Sequence, residues 1–185
     1  MRQEILDDAL KLKSLIGIRT NGEDWDELII GFVTELNDLS LTINEIDRNG
    51  LLSGSAIILL DNIISLDYSD RYQKRLKFIH ENCASLNPNK QIAVWKGGAE
   101  LTDHFNSLIQ SKKIATFYFD EENYVLGIIL NFDLDYVLIK NIGREGDEDG
   151  TSCHLINKIT GLKYDGMDEQ KIKMLYENRS IFYNA

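Results

Sequence analysis

Apolar and polar positions alternate along this chain in two rhythms, and the rhythms come in the same order twice. Residues 3–16 set Ile5, Leu6, Ala9, Leu10, Leu12, Leu15 and Ile16 at mostly helical spacing, which predicts an amphipathic helix. A second helix is expected near 99–110, with Leu101, Phe105, Leu108 and Ile109, and with Asp103 at its start, where a carboxylate suits the helix dipole. Each helix is followed by a run that reads as five short strands. The expected strands are 16–20, 28–36, 39–46, 55–60 and 63–68 in the first half. In the second half they are 114–119, 124–132, 134–142, 151–156 and 159–164. Period 2 is clearest at Leu41 and Ile43, and at Val137 and Ile139. The turns Asp61-Asn62 and Asn157-Lys158 are two residues long, a length that joins antiparallel neighbours. A closing helix is expected at 70–82 and again at 167–178.

The rhythms match because the sequence does. A shift of 96 positions lays residues 18–82 on 114–178 without a gap, with 16 identities in 65 positions. Average usage would give about 4. Two copies of one small domain follow, at 1–82 and 99–185, joined by a linker at 83–98. Pro88 and the Gly97-Gly98 pair punctuate that linker. Its middle, 91–95, is apolar enough for a strand, as is 180–183, and either suits an open sheet edge.

Much of what recurs is scaffold. Gly31 and Gly127 lie inside long strands, where glycine marks a bend or a close backbone approach. Gly50, Gly146, Gly54 and Gly150 bound matching loops. The polar positions that recur are few, chiefly Arg48/Arg144, Asp24/Asp120 and Thr20/Thr116.

The order of helix, short strand, long glycine-bent strand, strand, loop, strand, tight turn and strand resembles the Sm-like small barrel, a relative of SH3-like barrels. The likeness covers about 65 residues of each copy. It implies a mainly β fold with flanking helices (α+β): two tandem five-stranded Sm-like or SH3-like barrels, each preceded and followed by a helix, in an uncharacterised protein of bacterial type. RNA-binding Sm-like proteins carry an Ile-Arg-Gly or Leu-Arg-Gly signature between the last two strands. Here those positions read Leu60-Asp61-Asn62-Ile63 and Ile156-Asn157-Lys158-Ile159. The arginine–glycine pair is missing, so no RNA-binding residue is carried over.

Charge bears on partners. The chain is −10 overall, with 6 basic and 12 acidic residues in 14–82 and 8 and 13 in 110–178. Both halves repel a phosphate backbone. A nucleic-acid binder would need a basic stripe, for which the second copy has Lys112, Lys113, Lys140, Arg144, Lys158 and Lys163. There is no apolar run of the ~20 residues that a membrane span requires, and the first residues lack a signal-peptide core, so a cytoplasmic protein is expected. Cys83 and Cys153 do not recur together, which predicts free thiols rather than a disulfide framework.

Chemistry-bearing residues are sparse. Arg48 and Arg144 each stand two residues before a loop glycine, able to hold an anionic or acidic partner or to brace their own loops. Tyr68 and Tyr164 end the fifth strands, where they pack at the core edge with a wet hydroxyl or line a peptide groove. His80, His104 and His154 have no metal-ligand spacing, and the acidic turns match no calcium loop. No catalytic constellation, cofactor motif or metal site is expected. Trp25 and Trp95 have no counterparts and suit a seam or an interface. The resulting expectation is a non-enzymatic module that binds a protein or peptide, with a homodimer compatible. The alternatives are an RNA-binding protein of Sm-like type and a toxin-neutralising or regulatory protein.

Overall fold

The computed structural model describes residues 2–20, 22, 28–97 and 101–183. The chain divides into two compact units, residues 1–83 and 84–185.

Unit 1 opens with helix α1 (Arg2–Leu12), then β1 (Leu15–Arg19), β2 (Ile29–Leu36), β3 (Ser40–Ile46) and β4 (Leu52–Leu59). A short 3-10 turn (Leu60–Asn62) leads to β5 (Ser65–Tyr68) and helix α2 (Arg71–Asn82). All pairings are antiparallel, in the order β4-β3-β2-β1-β5. α1 buries Leu6 and Ala9 against Ile16, Ile18, Val33, Leu41 and Ile43. The opposite face of β1 is also covered, since Leu15 packs with Ile46 and Leu76 of α2. Covering both faces explains why β1 reads as a continuous apolar run rather than an alternation. α2 is started by Asp70, whose carboxylate accepts the Gln73 backbone N–H at 2.7 Å.

Unit 2 contains β6 (Ala93–Trp95), α3 (Leu101–Ser111), β7 (Ala115–Tyr118), β8 (Tyr124–Phe132), β9 (Tyr136–Ile142) and β10 (Glu148–Leu155). A second 3-10 turn (Ile156–Lys158) precedes β11 (Gly161–Tyr164), α4 (Met167–Glu177) and α5 (Ser180–Tyr183). The order is β10-β9-β8-β7-β11-β6, the order of unit 1 with one strand added at the edge. α3 supplies Leu101, Phe105 and Leu108 to a core with Phe117, Ile129, Val137, Ile139 and Leu162.

The two long strands bend for a reason that the glycines make plain. A Cβ on Gly31 would stand 2.1 Å from the Asn44 carbonyl oxygen, and one on Gly127 would stand 2.2 Å from that of Lys140. Only glycine admits so close a backbone approach. In both sheets the register then slips within two to four residues, between Val33 and Glu35 and between Ile129 and Asn131. Gly50 and Gly146 do a different job. Both have positive φ, 76° and 77°, and both press on the closing helix, with Cβ positions 2.9 Å from the His80 nitrogen and 2.8 Å from the Tyr176 nitrogen.

Several expectations are corrected. The turns at 61–62 and 157–158 do not join antiparallel neighbours. They lie in 3-10 turns, after which β5 pairs β1 and β11 pairs β7. No ladder joins β4 to β5 or β10 to β11 among the described residues, so each sheet is open and not a closed barrel. The segment 180–183 is helical, not a strand, because Ile181 and Phe182 donate back to the carbonyls of Asn178 and Arg179. The stretch expected as a linker belongs to unit 2. Its strand β6 covers the outer edge of β11, as an open edge invites.

The uninterrupted 96-residue shift fails over the first strand. Gly17 pairs with Ile30 and Asp67, and Thr116 pairs with Leu126 and Lys163. Gly17 therefore holds the ladder place of Thr116, a shift of 99, and the connection to the next strand is three residues shorter in unit 2. The identities Ile18/Ile114 and Thr20/Thr116 are not structural equivalents. Asp24, Trp25 and the acidic turn around them lie outside the described residues.

Candidate functional site

Unit 2 carries a cleft of about 610 Å³ among the described residues. β6 supplies its Trp95, the end of β7 supplies Tyr118 and Phe119, and β11 supplies Gly161 and Leu162. Asp120, Glu121, Thr160 and Lys96 form its polar rim. The cleft exists because the linker strand lies along β11, setting a tryptophan opposite Leu162. Trp95 is half-buried, and its indole Nε1 is buried with no hydrogen-bond partner.

Aromatic rings continue away from the cleft. Tyr118 meets Tyr124 with centroids 6.2 Å apart, and Phe119 lies 4.6 Å from the His154 ring. Arg144 covers Tyr124, with its guanidinium 5.6 Å from the ring centre and a hydrogen bond to the tyrosine hydroxyl. The turn below is tied by its own hydrogen bonds. Asp120 accepts the backbone N–H groups of Glu122 and Asn123 at 2.9 and 2.6 Å. The Asn123 side-chain amide donates to it at 2.7 Å, and these bonds hold the Asp120 carboxyl below its ordinary value. The rim thus carries two carboxylates and one lysine and the floor is aromatic, a surface fitted to an extended, partly apolar chain.

The sequence-predicted residues separate. Arg144 reaches the aromatic row through Tyr124. Arg48, exposed at the matching loop, has Leu28 where unit 2 has Tyr124, and so has no ring to cover. Tyr68 is half-buried and packs on the core of unit 1. Tyr164 is 8% exposed and its hydroxyl meets His104 Nδ1 at 2.9 Å, not water. Burial, helped by the Asp165 charge, pushes the Tyr164 hydroxyl above its ordinary pKa. Neither tyrosine lines the cleft.

Three of the six residues in the basic stripe are paired with carboxylates. Lys113 meets Asp165 at 2.6 Å, Lys140 meets Glu148 at 3.6 Å, and Lys163 meets Glu169 at 3.5 Å. Asp165 also takes Lys90 at 2.6 Å. Burial disfavours its ionised form, but the hydrogen bonds and charges of the two lysines outweigh it, and the carboxyl titrates below its ordinary value. With Gln170 bonded to both the N–H and the carbonyl of Asn87, at 3.0 and 3.1 Å, this pair fastens the former linker to unit 2.

Sequence reasoning placed His154 and Cys153 on opposite faces and missed a same-face contact two residues away. His154 Nε2 lies 2.7 Å from Ser152 Oγ, and that hydroxyl donates to Asn141 Oδ1 at 2.8 Å. A serine whose proton is given to an amide is not set up as a nucleophile for the histidine. Burial pulls the His154 pKa below its ordinary value. Both cysteines are free thiols, and no group of three or more metal-ligating side chains is found among the described residues. No helix is long and apolar enough to cross a membrane among the described residues. Phe119 was legible as a strand end and Trp95 as an unexplained lone aromatic. Their juxtaposition required knowing that β6 pairs with β11. No family model, curated protein or solved structure matches this chain.

Proposed function

We propose that the chain is a non-enzymatic binding module, built from two copies of one small domain of the Sm-like or SH3-like class, that takes a protein or peptide partner in the unit 2 cleft. The observation that carries this reading is the cleft of about 610 Å³ floored by Trp95, Tyr118 and Phe119 and rimmed by Asp120 and Glu121. Aromatic rings give an extended chain large contact area at low entropic cost, and their polar tips fix its direction. The commitment of Lys113, Lys140 and Lys163 to carboxylates supports a protein over a nucleic-acid partner.

Affinity capture from the native host, with proteomics and RNA sequencing in parallel, tests the reading. One protein enriched by the natural chain and lost with Tyr118→Ala and with Thr160→Arg, both variants retaining the natural circular dichroism spectrum, supports it. RNA enriched at moderate salt, or a protein captured equally by both variants, overturns it.

A further inference from the structure

The cleft of unit 2 is a gap between two strand ends. β6 and β7 both run antiparallel to β11, so they run parallel to each other on either side of it. Trp95 and Phe117 flank Leu162 from the two sides. One residue further on, Tyr118 flanks Gly161, and Lys96 leaves the end of β6. β11 begins at Gly161, whereas the chain of β7 continues into Phe119, Asp120 and Glu121. The walls therefore stand two strand spacings apart, about 10 Å. Between them the floor is low because Gly161 has no side chain. A Cβ there would stand in the gap, 3.4 Å from the Tyr118 ring and 3.7 Å from the Trp95 carbonyl oxygen.

The walls differ in charge. The β7 side carries Asp120 and Glu121, and the β6 side carries Lys96, all three exposed. The donors on Asp120 are neutral, two backbone N–H groups and the Asn123 amide, so they fix its carboxylate without cancelling its charge. Elsewhere in unit 2, Lys90, Lys113, Lys140 and Lys163 are paired with carboxylates. Glu121 has no ion pair among the described residues, and neither has Lys96. The aromatic row beside Glu121 already takes a guanidinium at its far end, where Arg144 covers Tyr124 and Tyr124 meets Tyr118. No lysine or arginine covers Tyr118 or Phe119 among the described residues. Ring faces beside uncompensated carboxylates attract a cation.

We propose that the cleft takes one arginine side chain of the partner, laid on Tyr118 and Phe119 with its guanidinium at Glu121 and Asp120, an inference that rests on the reading of the cleft as a peptide site. Arginine suits the place better than lysine does. Its planar guanidinium stacks on a ring and gives a carboxylate two parallel N–H groups, whereas an ammonium is a strongly hydrated point charge. Lys96 limits the site to a single basic residue. A second one on the β6 side would face the Lys96 ammonium, so the segment is neutral or acidic there. Unit 1 has no such site. At the ladder place of Tyr118 it has Arg19, and that guanidinium is bound to Asp67. Unit 1 is therefore a control within the same chain.

The probes are four acetylated and amidated peptides, Gly-Leu-Arg-Leu-Gly and the same peptide with lysine, citrulline or glutamate at its centre. Each is titrated into the isotope-labelled full chain and followed by amide NMR. The expected result is that the arginine peptide shifts the amides of 118–121 and 160–162 and leaves 65–68 unmoved. Citrulline has the shape of arginine without its charge and should bind about tenfold more weakly, with lysine between them. Glu121→Gln, on an exposed turn, should weaken the arginine peptide severalfold and leave the citrulline peptide unchanged. Lys96→Gln should tighten the arginine peptide. Raising salt from about 0.05 to about 0.5 M should erase most of the difference. Equal binding of the arginine and citrulline peptides at the cleft overturns the proposal while a peptide cleft stands. Tightest binding of the glutamate peptide assigns the site to Lys96 and overturns it. Equal shifts at 65–68 mark general attraction to an acidic chain and overturn it as well. No shift at the cleft with about 5 mM arginine peptide also overturns it. Whether Tyr118→Ala loses the captured partner then decides the cleft reading on its own.

Discussion

The two units share one strand order and differ in what their matching positions carry. At the ladder place where unit 1 has Gly17, unit 2 has Thr116. The helix residue facing that place is Gln73 in one and Glu169 in the other, both nearly fully buried. Gln73 donates to the Asp67 carbonyl at 2.7 Å, and a Cβ on Gly17 would lie 3.3 Å from that amide. Glu169 instead accepts the Thr116 hydroxyl at 2.7 Å. One buried position is thus solved by an amide against bare backbone and by a carboxylate against a hydroxyl. The strand ends diverge further: Arg19 pairs with Asp67 at 2.5 Å, while its counterpart Tyr118 opens onto the cleft. The difference teaches that a small sheet keeps its bends and loop glycines and changes the chemistry at its first and last strands.

That comparison can be broken most forcefully at what the units share. Gly31→Ala and Gly127→Ala should each cost more than about 3 kcal/mol, because a Cβ would meet backbone that cannot move without shifting a strand. Calorimetry should show the loss in the unit that carries the change, and equal losses would establish that the bend is common scaffold. Gly50→Ala and Gly146→Ala come next, at roughly 2 kcal/mol each, from positive φ combined with contact on the closing helix. Chemical denaturation checks this, and a cost under about 0.5 kcal/mol would show that the loop can lift off its helix.

Acid acts on unit 2. Asp165 and His154, both in unit 2, have folded pKa values below their ordinary ones. A group so depressed binds fewer protons when folded, so its contribution is complete above the unfolded pKa and falls away as pH drops through it. Unit 2 should lose stability first below about pH 6.5 through His154 and again below about pH 4 through Asp165. Asp165→Asn tolerates the positive φ and should flatten only the second loss, by about 1–2 kcal/mol, as read from melting temperature against pH. A smaller effect is Tyr164→Phe, about 1 kcal/mol from the lost bond to His104. The same change at Tyr68 sharpens the contrast, with an expected cost near zero.

The helices and most strands were legible because their signals are local. Leu41/Ile43 and Val137/Ile139 alternate, and Leu101, Phe105 and Leu108 mark one helical face. The 3-10 turns were not legible, since Asp61-Asn62 and Asn157-Lys158 are also good hairpin residues and only the competing partners β1 and β7 decide. The three-residue difference before β2 and β8 hid behind chance identities such as Thr20 and Thr116. Recurrence singled out Arg144, which the structure places over Tyr124 beside the cleft and not in its lining. Trp95 was singled out only as a lone aromatic suited to a seam or an interface, and Tyr118 and Phe119 were missed because recurrence selects scaffold, and the cleft is made where the copies differ.

The place of β6 bears on how the chain is made. Only 24 residues separate β5 from β6, while 65 separate β6 from β11. During synthesis β6 emerges when β5 is already present and β11 does not yet exist. Closing the longer loop costs about 0.9 kcal/mol more by chain entropy alone. The finished fold nevertheless holds β6 on β11, through Trp95 against Leu162, the Lys90–Asp165 pair and the Asn87–Gln170 bonds. Side-chain fit, not nearness along the chain, decides between the two edges, and among the described residues the nearer one carries no second strand.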